Sequence, residues 1–255
     1  MSSPAAAPIK KPFGKSDGWR RVKLAFKRLI GREPWITNDI IAPLQRFGDW
    51  WLCRDLVREG QMIYSLGVGQ DIGFDLALIQ ALDVQVFAFD PTPSSITWLQ
   101  AQQLPPQFHF FPWAVADRDG SLFLYPRVRS DGSQSKMMHT ILATLETRDD
   151  GIEVPVKSLK GIRLSLGHEH VDILKIDIEG TEYAVLRDML NSSLRPAQLL
   201  VEFHHRFPGL SVVDTVQAVG SLRQAGYGLA RISSSGREYT FILKSCLIQI
   251  GRAHV

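Results

Sequence analysis

The chain has 255 residues, 45% of them apolar and 22% charged, which suits one large α/β domain or two small ones with a substantial buried core. No apolar run reaches the length of a membrane span, and two distant cysteines, Cys53 and Cys246, exclude a disulfide framework or a cysteine metal site and leave room for one disulfide at most. The net charge of +3 divides unevenly: residues 1–32 hold nine Lys/Arg against Asp17 alone, or +8, while the other 223 residues hold 20 basic and 25 acidic ones, or −5, so charge gives a nucleic-acid role little support.

Residues 1–17 are rich in Ser, Pro, Ala and Lys, the composition of a disordered basic arm. The opening "MSSPAAAPIKKPFG" lacks the apolar core of a signal peptide, so the expected location is cytoplasmic. From Gly18 to Ile30, the residues Trp19, Val22, Phe26, Leu29 and Ile30 recur at helical spacing, with the basic side chains mostly elsewhere on the wheel. Such a helix most often packs on its own domain with the basic face solvated. The other reading is a weak membrane or protein contact through basic residues 10–32. A second helical stretch over residues 39–59 completes an N-terminal helical extension, residues 18–59.

Short apolar runs then alternate with helical patterns, as in a mostly parallel sheet covered on both faces. Strands are expected at 62–66, 84–89, 108–114, 171–178, 199–203, 227–233 and 239–243, and helices at 74–81, 94–102, 182–190 and 212–225. "DGSLFLYP" and "GIEVPVKSL" read as extra strands around a polar insertion, residues 127–150, expected to help cover a pocket. The ending "IQIGRAHV" fits no element and reads as a loose tail.

In "MIYSLGVGQDIGFD", Gly67, Gly69 and Gly73 fall between the first strand and a helix, where glycine permits a tight turn and close approach to a ligand. The spacing is not the dinucleotide fingerprint, because Ile72 stands where its third glycine belongs. The next strand, "VQVFAFD", ends in Asp90, 21 residues beyond Gly69; a carboxylate there can accept both hydroxyls of a ribose, or can simply cap the helix near Ser94. Ala116–Asp117 follow the third strand, beside the expected adenine position, although Asp117 equally suits a cap on the Asp119–Gly120 turn.

"DILKIDIEGTE", residues 172–182, puts Lys175, Asp177 and Glu179 on one face at the carboxyl end of a strand, where parallel sheets meet their ligands. Unpaired burial of those acids would cost several kcal/mol. They therefore form either an ion-pair network with Lys175 or a substrate or cofactor site. Glu182 reads as ordinary first-turn helix chemistry. "LLVEFHHRFPG" adds Glu202, His204 and His205 at the next strand end. Those histidines suit a general base, a divalent-metal site or plain loop residues, and no metal ligand set is assigned.

The order of the glycine turn, "VFAFDP", "AVADRDGSLFLY", "IEVPVKSL" and "VDILKIDIEGTEYAVL" resembles the FkbM-like methyltransferases over residues 60–205, with "LKIDIEG" the most specific piece. The resemblance implies a Rossmann-like, doubly wound seven-stranded sheet with the last strand antiparallel. It makes residues 60–250 an S-adenosylmethionine-binding methyltransferase domain that methylates a hydroxyl oxygen of a small molecule or carbohydrate. By position, Gly67 and Gly69 line the methionine end of the cofactor, Asp90 the ribose, and Ala116–Asp117 the adenine. Asp177 and Glu179 face the methyl group and the acceptor. The family's acidic residue two before the first glycine is Ser65 here, with Asp71 or Asp75 as substitutes. Asp177, or His204 or His205, is the expected base, with Lys175 or Glu179 orienting it. The rivals are a nicotinamide-dependent oxidoreductase and a non-catalytic methyltransferase-fold binding protein.

Overall fold

The computed structural model describes residues 17–128, 134–140 and 150–247. Most of the expected basic arm, parts of the polar insertion and the 248–255 tail lie outside the described residues. In chain order the elements are α1 (Asp17–Leu29), β1 (Leu44–Phe47), β2 (Trp50–Cys53), a short 3-10 turn, β3 (Met62–Leu66), α2 (Gly73–Leu82), β4 (Gln85–Phe89) and α3 (Pro93–Gln100). They continue with β5 (Phe108–Phe111), β6 (Ala114–Val115), β7 (Gly120–Val128), β8 (Gln134–Thr140), β9 (Ile152–Lys157), α4 (Leu159–Leu166) and β10 (Ile173–Ile176). The last five are α5 (Glu182–Asn191), β11 (Gln198–Glu202), α6 (Val212–Gln224), β12 (Tyr227–Ile232) and β13 (Glu238–Leu243).

Seven strands form one sheet in the order β12-β13-β11-β10-β3-β4-β5. From β11 to β5 every pair is parallel, and β13 runs antiparallel between β11 and β12. This is the doubly wound α/β sheet with an antiparallel last strand that the sequence led us to expect. The middle strands are apolar on both faces because both are covered. Tyr64, Leu66, Leu174, Ile176, Leu199 and Val201 point into one core, while Ile63, Val86, Ala88, Ile173 and Leu200 point into the other. Strand order reverses between β3 and β10, so the chain leaves a crevice beyond their carboxyl ends.

Two elements differ from expectation. Residues 39–59 hold no α-helix: β1 and β2 make a hairpin in which Phe47 pairs with Trp50 across Gly48 and Asp49. Gly48 has φ +55°, the left-handed conformation such a two-residue turn requires. The hairpin is part of the main core, since Leu52 and Cys53 are fully buried and Gln198 binds both the N–H and the C=O of Cys53, at 2.7 and 3.0 Å. The helical extension is therefore α1 alone. The second addition is α4, capped by the Ser158 hydroxyl on the Gly161 N–H and closed by Gly167 at φ +71°. A small sheet, β6-β9-β7-β8, flanks the crevice and contains both expected extra strands. Cys53 and Cys246 are both free thiols.

Candidate active site

The first turn is built by backbone packing. Gly67, at φ +73°, lies so close to the next crossover that a Cβ there would stand 1.7 Å from the carbonyl oxygen of Asp177. Only glycine tolerates both the conformation and the approach. Gly69, at φ +55°, faces open space, with nothing within 4 Å of where its Cβ would be. Its N–H donates to Asp90 Oδ2 at 2.8 Å, and Thr92 donates to Oδ1 through its N–H and hydroxyl at 2.9 and 2.6 Å. Asp90 thus joins the glycine turn to the end of β4 and keeps acceptor capacity on Oδ2 for a ligand hydroxyl.

The three charges of "DILKIDIEGTE" do not stay on one face. Regular strand ends at Ile176, and Glu179 takes a left-handed φ of +50° before Gly180 at +108°. A non-glycine residue held there is strained, a feature that concentrates at functional sites. The Lys175 side chain is engaged at the glycine turn: Nζ donates to the Gly67 carbonyl at 3.1 Å and sits 5.5 Å from the centre of the Trp50 ring. Its charge offsets Asp75, whose carboxyl burial pushes up to about 6. The expected Lys175 network with Asp177 and Glu179 is replaced by one with Gly67, Trp50 and Asp75, because the strand ends before the two acids.

His204 is the centre of the acid cluster. It is 5% exposed, with Nε2 3.8 Å from both Asp177 Oδ1 and Glu202 Oε1 and Nδ1 3.4 Å from Glu182 Oε1. Burial disfavours its charge, but Glu182, Glu202 and Asp177 together outweigh that and raise its pKa. Burial, then the Asp177 charge, pushes Glu202 up to about 7, although the Arg237 guanidinium lies 2.9 Å away. Glu182 is more than helix chemistry. It is fully buried and accepts the N–H groups of Gly180 and His204 at 2.8 and 2.7 Å, so it fixes the loop after β10 to the end of β11. His205 is not in the site: its ring lies between Thr215 Oγ1, at 3.1 Å, and Glu33, at 3.3 Å.

Three hollows share Gly67 and Asp177. One of about 520 Å³ is lined by Gly69, Gln70, Asp71, Asp90 and Glu179. A second, of about 100 Å³, has Ala114, Val115, Leu122 and Leu124 as apolar walls. The third, about 240 Å³, holds Trp50, Lys175, Glu202 and Arg237. Asp177 stands at their junction, with Glu179 on one side and Lys175 on the other. Asp71 reaches the first and third, its Oδ1 accepting the Gly73 N–H at 3.0 Å. Ala116 and Asp117 line none of these three hollows. They open on a separate hollow of about 450 Å³, and Asp117 pairs with Arg118 at 3.7 Å, because β6 turns the chain out of the crevice after Val115. Among the described residues, Asp177, Glu202 and His204 also form a group able to hold a metal ion, their ligand atoms within 4.8 Å of one another.

Residues 40–229 match the family described as the methyltransferase FkbM domain. The chain belongs to the FkbM methyltransferase family. It is similar to "Probable methyltransferase-like protein 24" of Rattus norvegicus, 25% identical over 190 residues, which cover 73% of this chain and 43% of that protein. The Homo sapiens protein of the same description is 26% identical over 181 residues, 67% of this chain and 42% of its own. The chain thus spans less than half the length of these curated relatives. Among solved structures, it is similar to Aeropyrum pernix fibrillarin in complex with S-adenosyl-L-methionine (10% identity, 80% of this chain and 83% of that one, TM-score 0.40). It is also similar to the Haloferax volcanii complex of the Trm112 methyltransferase activator and a methyltransferase (12% identity, 73% and 84%, TM-score 0.38).

The FkbM family is S-adenosylmethionine-dependent. The observed residues fit that cofactor: an open backbone at Gly69, spare acceptor capacity on Asp90 and an apolar wall at Ala114 and Val115. The family match runs from residue 40 to residue 229, so it takes in the hairpin and the sheet strands β3 to β11 but stops before β13. Glu182, Arg237 and Trp50 are site residues that sequence reasoning missed. Arg237 comes from the β12–β13 turn, and only the antiparallel insertion of β13 brings it beside Glu202.

Proposed function

We propose that this FkbM-family protein methylates a hydroxyl oxygen of a small molecule or carbohydrate, with His204 as the base and Asp177 beside its Nε2 at the edge of the hollows. The observation that supports this most is the placement of buried His204 Nε2 against Asp177, the residue common to the cofactor-fitting hollows and the third one. When bound, S-adenosylmethionine supplies an electrophilic methyl group. The chain's part is to bind Asp90 to the ribose and Ala114–Val115 to the adenine, and to accept the acceptor's proton, since a hydroxyl is a poor nucleophile near neutral pH. Glu182 Oε1, 3.4 Å from Nδ1, favours the tautomer with its hydrogen there, which leaves the Nε2 lone pair on the side of Asp177 and Glu202. Lys175 supports the Gly67 turn, and Glu179 faces the cofactor side. Proton uptake needs neutral His204, whose pKa is raised, so the acid limb of the rate profile lies above the ordinary histidine value of about 6.5.

The test uses methyl-labelled S-adenosylmethionine with a panel of hydroxylated acceptors. Asp177→Asn and His204→Gln are expected to keep S-adenosylhomocysteine binding within a few fold and to lose about 10²–10⁴ in turnover. Full turnover by Asp177→Asn would remove this assignment. Failure of the unaltered protein to bind either S-adenosyl ligand would favour a non-catalytic role, and tight NAD(H) binding instead would favour the oxidoreductase. The Asp177–Glu202–His204 group supports a second reading, in which a divalent cation activates the hydroxyl. Chelation by EDTA separates the two: loss of turnover restored by Mg²⁺ or Mn²⁺ selects the metal, and unchanged turnover selects the histidine.

A further inference from the structure

α1 is attached to the body by its narrow side. Leu24 is buried, its Cδ1 2.4 Å from where a Cβ on Gly236 would be. Glu33, just beyond the helix, is buried against Arg206, His205 and Lys27. Trp19, Val22, Phe26, Leu29 and Ile30, about half a turn round the helix from Leu24, are between 48% and 73% exposed. Trp35, which follows, is 68% exposed. The arrangement is the reverse of a helix packed on its own domain, which would bury this face. A continuous apolar face of that size, turned to solvent, marks an interaction surface.

Charge selects the occupant. Exposed Lys23 borders the face, exposed Arg20 lies round toward the Leu24 side, Lys27 and Arg28 lie half-buried in the last turn, and Asp17 is the sole acid in residues 1–32. A second copy of this chain would bring a second strongly basic segment against the first. A surface both anionic and apolar a few ångströms below suits the helix on both counts, and Trp19 on the apolar face supplies an indole, a ring that settles at such an interface. We propose that α1 docks face-down on a membrane surface containing anionic lipid. The proposal does not depend on the methyl-transfer reading.

The test is co-sedimentation of the full chain with phosphatidylcholine vesicles, with and without roughly a third phosphatidylserine. Binding to the anionic vesicles is expected to be at least about tenfold stronger and to weaken as salt is raised. Phe26→Asp/Leu29→Asp alters only exposed positions and should reduce it by at least about tenfold with the thermal midpoint unchanged. Arg20→Glu/Lys23→Glu is an independent variant that should reduce binding to the anionic vesicles alone. Equal binding to both vesicles, no binding to either, or full binding by both variants would overturn the proposal. So would a dimer of the unaltered chain in sedimentation velocity that Phe26→Asp/Leu29→Asp converts to monomer.

Discussion

Asp75 lies wholly inside the protein on α2, beside Ser65 and within the field of Lys175. Burial raises its carboxyl from 3.8 to about 6, with Lys175 opposing. The folded state therefore holds this proton more tightly than the unfolded chain. The associated stability is full below the unfolded value and is lost as pH rises through about 6. Asp75→Asn removes that dependence. Urea unfolding between about pH 4 and 7 should show a decline shallower than that of the unaltered protein by on the order of 3 kcal/mol. Lys175 loses a counter-charge in this variant, so the slope is the readout; an unchanged slope would refute the assignment. Residues of this kind were legible in type but not in partner. The sequence marked Lys175, Asp177 and Glu179 as chemically significant, and alternation placed them together. What separates them is the backbone: the strand stops at Ile176 and Glu179 turns left-handed, which side-chain period does not encode. From sequence Glu182 is a helix-end charge and no more, because only the fold reveals the His204 N–H above it.

At the scale of elements, the hairpin shows a local signal that went unread. Gly48–Asp49 between apolar Phe47 and Trp50 is a two-residue turn, but the surrounding mixture of apolar and charged residues also matches a helical spacing. Packing decides, because β2 sits on the sheet and Gln198 takes the N–H and C=O of Cys53 at its end. Gln198→Ala would strand two buried groups of Cys53, the N–H and the C=O, and should cost about 2–4 kcal/mol in chemical denaturation. A loss below about 0.5 kcal/mol would mean that water or a shifted neighbour satisfies them. The sheet strands themselves were plain, since continuous runs of Val, Ile, Leu and Phe between turn residues leave little else to build. α4 was not, being only eight residues long and set directly after a strand.

Across the whole molecule, distant segments close the structure. Glu33 binds Arg206 and stands 3.3 Å from His205, and Asp39 pairs with Arg223 at 2.7 Å, so the segment after α1 is tied to β11, α6 and the loops around them. No described helix is long and apolar enough to cross a membrane, so any lipid contact through α1 would be at a surface. The sheet order carries a further consequence, in time rather than space. β3 is central, yet its partner on one side is β10: Met62 N–H meets Asp172 Oδ2 across 110 residues. β11 completes its outer edge only when β13 inserts between it and β12. During synthesis, the half-sheet β3-β4-β5 must therefore wait with one apolar edge unpaired while the remaining strands emerge. Pulsed hydrogen exchange during refolding should find β3 and β4 amides protected before those of β11 and β13, and simultaneous protection would contradict this order. The topology that opens the crevice between β3 and β10 is the same one that makes the central strand's second partner arrive late.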